Sequence, residues 1–187
     1  MANVNAPFGF VPIKHLDGSE YNGQTNLYAI DASQVEMFRN QLVQPSGGAN
    51  AEGIPLVVPV SAGTGNPIVG SIVSFQADRE DQGKTSNPAN TATLVNVADA
   101  PDIVFEAQTT TFAQANAQAN APIVNSSSGS STTGNSSSEI DGSGYKATTD
   151  QIRVLRLKRI EGNEFGAFAV VECFINEHKY KQQAGVV

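Results

Sequence analysis

The chain has 187 residues, a length that fits one domain, and only 16% of them are charged. This is below the roughly 25% of an average globular protein, and Asn, Gln, Ser, Thr and Gly supply the polar balance. The net charge is −7. Residues 1–144 hold 4 Lys/Arg against 13 Asp/Glu, and residues 145–187 hold 7 against 5. An acidic body repels phosphates, so the composition disfavours nucleic acid as a partner.

The single cysteine, Cys173, excludes an internal disulfide framework. The first seven residues lack the basic and apolar regions of a signal peptide. No window reaches the ~20 apolar residues that a transmembrane helix needs. We therefore expect synthesis in a reducing cytoplasm and no membrane partner.

Residues 1–25 are predicted to form an extended N-terminal arm. Pro7 and Pro12 oppose helix, and Gly9 permits close approach to another surface. The arm has apolar anchors but no pattern that pairs it with a strand next in sequence. We expect these anchors to contact a neighbouring subunit, with packing on the chain's own domain as the alternative: Phe8, Phe10, Val11 and Ile13.

Short apolar runs separated by Gly, Pro and Asn predict strands from residue 26 onward. Gln34–Val43 fits either a short helix or a strand. Ile54–Val60 contains Pro55 and Pro59, which predicts a sheet edge or a bulge because proline cannot donate to a ladder. The clearer strands are Leu27–Ile30, Ile68–Phe75, Ala92–Val97 and Ile103–Ala107.

Residues 108–144 are polar and small. Ala113–Ala121 has the composition of a helical turn or two, but its polarity on all sides disfavours a stable helix. A Ser/Gly/Asn-rich loop is predicted at about 125–144. Within it, Asn125–Ser138 buries too little apolar area to offset its ordering entropy. We expect a flexible loop there, with a surface hairpin tip as the alternative.

A long hairpin is predicted at the C-terminal end, over Ile152–Ile175. The alternation of apolar and polar residues shifts by one position within Ile152–Leu157, which indicates a β-bulge. Phe165, Val171 and Ile175 fall on the more regular apolar face of the second strand. That strand is apolar on both faces, so it is expected to be central.

These features together predict an all-β fold, either a β-sandwich or a β-barrel-like domain. Residues 1–25 form its extended arm. Residues 26–187 form a single β-rich domain that ends in the long hairpin.

Few side chains are candidates for catalysis or metal binding. His15, His178 and Cys173 show no metal-ligand spacing, and Cys173 falls on an apolar strand face, as a core thiol would. His178 is expected at a surface or interface. The acidic pairs Glu80/Asp81 and Asp99/Asp102 are typical of turns. We therefore predict a protein that is not an enzyme, with no catalytic residues, cofactor or metal.

Several segments, in order along the chain, resemble small virion proteins of tailed bacteriophages encoded beside the major capsid protein. The opening Ala2–Pro12 is similar to the start of such proteins. The ending Phe174–Tyr180 is similar to theirs, as are four internal segments: His15–Gly18, Tyr21–Gly23, Val97–Gln108 and Ile152–Leu157.

The resemblance implies a head decoration, or cement, protein that binds the outside of the capsid and stabilises junctions between capsomers. Its partners would be the major capsid protein and other copies of itself, and its location the capsid surface of the virion. A receptor- or glycan-binding β-domain of a tail or fibre is the alternative. The absence of Trp disfavours an aromatic sugar-binding groove. A small hydrolase is disfavoured because no active site is evident.

Overall fold

A computed structural model describes residues 3–181 and confirms the predicted all-β class. The described residues contain one short 3-10 turn, Gln114–Asn116. It lies within the stretch whose composition fits a helical turn or two. The strands are β1 (Val11–His15), β2 (Asn26–Ile30), β3 (Leu42–Ala49), β4 (Pro55–Pro59), β5 (Gly70–Phe75), β6 (Thr93–Ala98), β7 (Ile103–Gln108), β8 (Thr111–Phe112), β9 (Asn120–Ala121), β10 (Ile123–Val124), β11 (Glu139–Ile140), β12 (Ile152–Leu157), β13 (Gly166–Ala167) and β14 (Val170–Ile175).

Five of these strands close into a barrel in the order β2-β4-β3-β5-β6. The pair β2–β4 is parallel and the other pairs are antiparallel. Alternating apolar residues of these strands fill the interior, as expected for a small barrel. From the strands this core takes Tyr28, Ile30, Val43, Val57, Ile72, Val95 and Val97, and the segments before β3 and β5 add Met37 and Val69.

Of the two alternatives predicted for the proline-containing strand, the edge position is wrong. The bulge alternative agrees with the register shift in the β3–β4 ladder, between Pro45 and Ala49. β4 pairs on both sides because it lies between β2 and β3 in the strand order of the barrel. Pro55 and Pro59 stand at the two ends of the strand. The missing N–H groups therefore fall outside the centre of the ladder, where a proline is tolerated.

The second unit is a five-stranded sheet in the order β1-β7-β14-β12-β9. The predicted central position of the last strand is confirmed, since β14 pairs with both β7 and β12. The predicted bulge is confirmed as well, as a register shift between Val154 and Arg156. The inner face of this sheet packs into the larger core, which includes Ile103, Phe105, Val171, Cys173 and Ile175.

The N-terminal arm packs on the chain's own domain, which was the alternative to the expected contact with a neighbouring subunit. β1 pairs with β7, with Val11 opposite Glu106. Phe10 is fully buried and its N–H donates to Asn40 O at 2.8 Å. Gly9 lies at φ +78°, and a Cβ there would stand 2.3 Å from Asn40 O. The surface that Gly9 approaches is thus the chain's own barrel.

The Ser-rich segment is packed, not a loose loop, and this too corrects the favoured interpretation. β10 and β11 form a short hairpin, and the chain between them lies along the barrel. The N–H of Arg39 donates to Gly134 O and the N–H of Ser136 donates to Arg39 O, each at 2.9 Å. Gly129 lies against the ring of Phe38. Sequence reasoning underestimated the segment because backbone hydrogen bonds, not apolar side chains, attach it.

The regular apolar face that the sequence predicts for the last strand begins too early in the chain. Val171 and Ile175 are buried as predicted, but Phe165 is 50% exposed. The backbone takes positive φ at Gly166 and at Phe168, so the alternation of faces stops before β14 begins. Residues 158–169 form a separate tip in which β13 pairs with β8.

The barrel and the sheet share one core and are joined by the C-terminal segment. Phe10, Leu42 and Ile68 belong to the larger core cluster together with the inner face of the sheet. Beyond β14, the chain forms a parallel bridge between His178 and Ile68. Ile68 N–H donates to Glu177 O and Lys179 N–H donates to Ile68 O, at 2.9 and 2.8 Å. This contact holds the end of the sheet against the barrel.

Candidate functional site

The four predicted contact residues lie at different depths. Phe10 is fully buried in the chain's own core, so it cannot offer a contact surface. Phe8 is half-buried, and Val11 and Ile13 are half-buried in β1. The structure therefore does not bring the four side chains together on one exposed patch.

Exposed apolar side chains also occur on the N-terminal segment and on residues 158–169, two segments that hydrogen bonds hold together. We call this region the tip surface and define it as Asn3, Val4, Ile160, Phe165 and Phe168. Val4 is 74% exposed, and Ile160 and Phe165 are about half exposed. Val4, Ile160 and Phe168 line one cleft of about 420 Å³. The ring of Phe165 stacks on Phe112, which is buried, with 5.6 Å between the ring centroids.

Hydrogen bonds fix the N-terminal part of the tip surface to the part contributed by residues 158–168. The Asn3 amide donates to Glu164 O and to Ala167 O at 2.8 and 3.0 Å. It also accepts from Glu164 N–H at 3.1 Å. The Gln108 amide donates to Val4 O and to Phe168 O at 2.9 and 3.0 Å. The exposed apolar groups are thus held in a defined arrangement.

The backbone of the tip is turned in an unusual way. Phe168 has φ +58°, a left-handed conformation that is rare for a bulky side chain. Asn163 stabilises the turn, because its amide donates to Lys158 O and Val170 O and accepts from Val170 N–H. Strained backbone that its surroundings hold in place is concentrated at binding sites. It favours the tip surface as a contact region.

A second surface is the outer face of the five-stranded sheet, which we call the cationic face. Its pairing register places Lys14, Val104, Phe174 and Arg153 in one row across four strands. The next row holds Glu106, Glu172 and Arg156. Lys158 and Lys181 also reach this face, since Lys158 Nζ lies 3.1 Å from Glu106 Oε2 and Lys181 Nζ lies 5.4 Å from the Phe174 ring centroid.

Glu172 is the negative centre of this face. Its Oε2 accepts from Lys14 Nζ at 2.6 Å and from Arg156 Nε at 2.9 Å. Burial alone would raise the pKa of Glu172, but the hydrogen bonds and charges of Lys14 and Arg156 outweigh it and hold that pKa below its usual value. Arg153 and Lys181 have no carboxylate partner within residues 3–181. The face therefore carries a local excess of positive charge.

The expected surface position of His178 is wrong, because this residue is only 2% exposed. Its Nδ1 accepts from Tyr180 N–H at 3.1 Å, and its Nε2 has no hydrogen-bond partner in the described part of the chain. Burial lowers the pKa of His178 to about 4, although the Asp99 carboxylate opposes the shift. Tyr28 OH donates to Asp99 Oδ2 at 2.6 Å and lies 2.9 Å from Tyr180 OH.

The remaining titratable candidates do not converge. Cys173 is a buried free thiol, as predicted, and burial raises its pKa. His15 Nδ1 lies 3.0 Å from Asp102 Oδ2 at the turn that precedes β7. Within residues 3–181 no group of three or more His, Cys, Asp or Glu could hold a metal ion. The same residues include no helix long and apolar enough to cross a membrane.

Sequence reasoning missed both surfaces. Val4 and Ile160 lie in loop segments, where an isolated apolar residue has no periodic signal. The excess of Lys/Arg in residues 145–187 was visible, but Lys14 joins the cationic face only through the pairing of β1 with β7. Asn3 gave no signal, since its role depends on a hydrogen bond to a residue 161 positions away.

Comparison of the chain with models of protein families, with curated proteins and with solved structures finds no match. The tip surface and the cationic face are therefore interpreted from their own chemistry and from the sequence.

Proposed function

We propose that the protein is a structural component of a phage virion that binds the outside of the capsid and stabilises the junctions between capsomers. In this proposal it acts by binding and not by catalysis, and its partner is the major capsid protein. The sequence resemblance to phage head decoration proteins supports the proposal. The observation that carries it is the tip surface.

The tip surface has the properties of a docking site. Val4, Ile160 and Phe165 are large apolar groups that remain exposed on the tip surface, and Val4 and Ile160 line the same cleft. Contiguous exposed apolar groups on a soluble protein mark sites of interaction with other molecules. Aromatic residues such as Phe165 are enriched at the centres of protein interfaces. A partner that covers these groups would remove their apolar surface from water, which would stabilise the complex.

The rigidity of the tip surface supports the same role. Asn3 ties the N-terminal segment to residues 164–167, so the surface is ordered before any partner arrives. Preorganisation lowers the entropy that binding costs. A cement protein acts in many copies on a symmetric shell, and multivalent attachment multiplies a modest contact. A small ordered apolar patch is sufficient for that mode of action.

The test uses heads from which the protein is missing and measures how much purified protein cosediments with them. The triple variant Val4→Ser, Ile160→Ser and Phe165→Ser removes the exposed apolar groups from the tip surface. We expect this variant to remain folded by circular dichroism and to lose binding to heads by at least about tenfold, since buried apolar anchors dominate interface energies. Heads that carry it should also burst at a lower temperature than heads that carry the wild-type protein.

Leu27→Ser is the matched control, because Leu27 is 46% exposed but lies on β2 of the barrel, away from the tip. This variant should bind heads as the wild type does. A folded triple variant that decorates heads as tightly as the wild type would exclude the tip surface as the contact. Labelling of intact virions on the tail and not on the head would contradict the proposed function itself and favour the tail or fibre alternative.

A further inference from the structure

The tip surface and the cationic face lie on the same side of the five-stranded sheet. The inward side chains of β7 and β14 belong to the larger core, among them Phe105 and Cys173. Side chains alternate between the two faces of a strand, so Gln108 and Val170 point outward. These two residues pair with each other in the ladder, and both line the cleft of the tip surface. The cleft is therefore one end of the same outer face.

Successive rows of paired residues lead from the cleft to the positive charges. The first row holds Gln108 and Val170, which line the cleft. The second row holds Arg156, and the third row holds Lys14 and Arg153. Rows on one face of a sheet are about 7 Å apart, so the second and third rows lie about 7 and 13 Å from the cleft along the strands.

Three of the positive charges on this face remain available to a partner. The side chain of Arg156 is 58% exposed, and it uses Nε and Nη2 for Glu172, so further N–H donors stay free. Arg153 is half-buried and Lys181 is exposed. Neither of these two has a carboxylate partner within residues 3–181. The carboxylate of Glu172, by contrast, is only 9% exposed and is covered by the cations that it binds.

The combined surface holds more positive than negative charge. Its cations are Lys14, Arg153, Arg156, Lys158 and Lys181, and its carboxylates are Glu106, Glu161 and Glu172. Arg159 and Glu164, also within residues 158–169, add one charge of each sign. The whole chain has a net charge of −7. An acidic element is therefore attracted to this face and repelled by the rest of the molecule.

We propose that the tip surface and the cationic face act as one docking face, and that the element of the partner that covers it is acidic. This element places a large apolar side chain in the cleft. About 7 to 13 Å further along, it places carboxylates that pair with Arg156, Arg153 and Lys181. The inference rests on the proposed function and adds to it the chemistry of the capsid-protein element that is bound. Complementary charge of this kind fixes the register of a partner and suppresses wrong partners.

Nucleic acid is a less suitable occupant of the docking face. A duplex presents phosphates along its whole length and has no large apolar side chain to fill the cleft. The positive charge here is interrupted by Glu106 and Glu172, which would repel a continuous polyanion. A protein element can place its carboxylates beside the available cations alone.

An anionic lipid surface also fits less well. Insertion of Ile160 and Phe165 into a lipid layer would carry their sequence neighbours Glu161 and Glu164 toward the hydrocarbon. Charged groups are costly to bury in that layer. A protein partner can cover the apolar groups and leave these carboxylates in water.

The test measures cosedimentation of the purified full chain with heads that lack it, at two salt concentrations. At about 0.5 M salt the screening length is about 4 Å, so ion pairs on the cationic face weaken while the apolar contact in the cleft remains. We expect the wild type to bind heads at least about tenfold more weakly at about 0.5 M than at about 0.05 M salt. Binding that is the same at both concentrations would overturn the proposal.

Two variants with the same net charge separate a specific contact from general repulsion. Arg153→Gln with Lys181→Gln removes two positive charges from the cationic face, and Arg79→Glu makes the same change in net charge on an exposed barrel loop. Both should remain folded by circular dichroism. At about 0.05 M salt the double variant should bind heads about tenfold more weakly than the wild type, and at about 0.5 M the two should bind alike. Arg79→Glu should bind as the wild type does at both concentrations.

Equal weakening by the double variant and by Arg79→Glu would show that only net charge matters, which would overturn the proposal. So would wild-type binding to duplex DNA or to phosphatidylserine vesicles that the double variant loses, because the face would then recognise phosphate. A double variant that binds heads like the wild type at both salt concentrations would refute the single docking face and leave capsid binding through the tip surface intact. Wild-type protein that does not bind heads at either concentration would refute the proposed function itself.

Discussion

Acidification is expected to loosen the C-terminal segment Asn176–Lys181 because His178 is buried in it. Tyr180 N–H donates to His178 Nδ1, so the neutral ring carries its proton on Nε2. Protonation places a hydrogen on Nδ1 and removes the acceptor of this bond. The added charge would lie among Asp99, Asp102 and Lys181, in a site from which water is largely excluded.

The size of the effect follows from the two pKa values of His178. A histidine in an unfolded chain has a pKa of about 6.5, and burial lowers that of His178 to about 4 in the native state. Between these pH values the unfolded chain binds more protons than the native protein, so the free energy of unfolding falls as the pH falls. The contribution lost between pH 8 and pH 5 is about 2 kcal/mol. Below about pH 4 both states are protonated and the loss stops growing.

Urea unfolding at pH 8 and pH 5, followed by circular dichroism, measures this loss. His178→Asn is the control, because its Oδ1 can accept from Tyr180 N–H but does not titrate. This variant is expected to be less stable at both pH values, since it is smaller, yet to lose about 2 kcal/mol less than the wild type between them. Equal losses in the two proteins would refute the reasoning and assign the acid sensitivity to the carboxylates.

Three further predictions concern packing. Phe105→Ala, in the core, should cost about 3–5 kcal/mol of unfolding free energy in urea titrations, whereas Phe165→Ala should cost less than about 1.5 kcal/mol because that ring is half exposed. Cys173 should react with a thiol reagent only when the protein unfolds, and rapid labelling in native buffer would contradict its burial. Gly129→Ala places a Cβ 2.3 Å from the ring it faces and should cost about 1–3 kcal/mol in thermal melts. Gly48→Ala meets only a side chain at 3.8 Å and should be nearly neutral; similar melting of the two variants would contradict the contact.

The strands that the sequence predicted well are those whose pattern is local. Ile103–Ala107 and the strand ending at Ile175 are apolar apart from one glutamate each, and both are buried strands of the large sheet. The bulge in Ile152–Leu157 could also be predicted, because the alternation of apolar residues shifts there by one position and a β-bulge produces such a shift. Such features depend on neighbours in sequence.

The features that sequence reasoning misjudged depend on contacts distant in sequence. The proline strand β4 has two neighbours because it pairs with both β2 and β3, which its own composition could not indicate. The Ser-rich segment is ordered by backbone hydrogen bonds to Arg39, about ninety residues earlier in the chain. Phe165 continues the apolar alternation in sequence, but positive φ at Phe168 interrupts it in space.

The same pairing between segments distant in sequence explains why the candidate contact regions are surfaces of the folded chain and not a free arm. The barrel is closed, so its strands have no free edge. The edge strand β1 of the sheet is followed by a turn that forms hydrogen bonds back to it. Little backbone is therefore left for the addition of a strand from a partner. Ile13 O accepts from Tyr21 N–H, and His15 N–H donates to Ser19 O. The partner proposed above would therefore be engaged through side chains. The tip surface offers mainly apolar side chains and the cationic face offers charged ones, so binding through the first would depend less on salt than binding through the second.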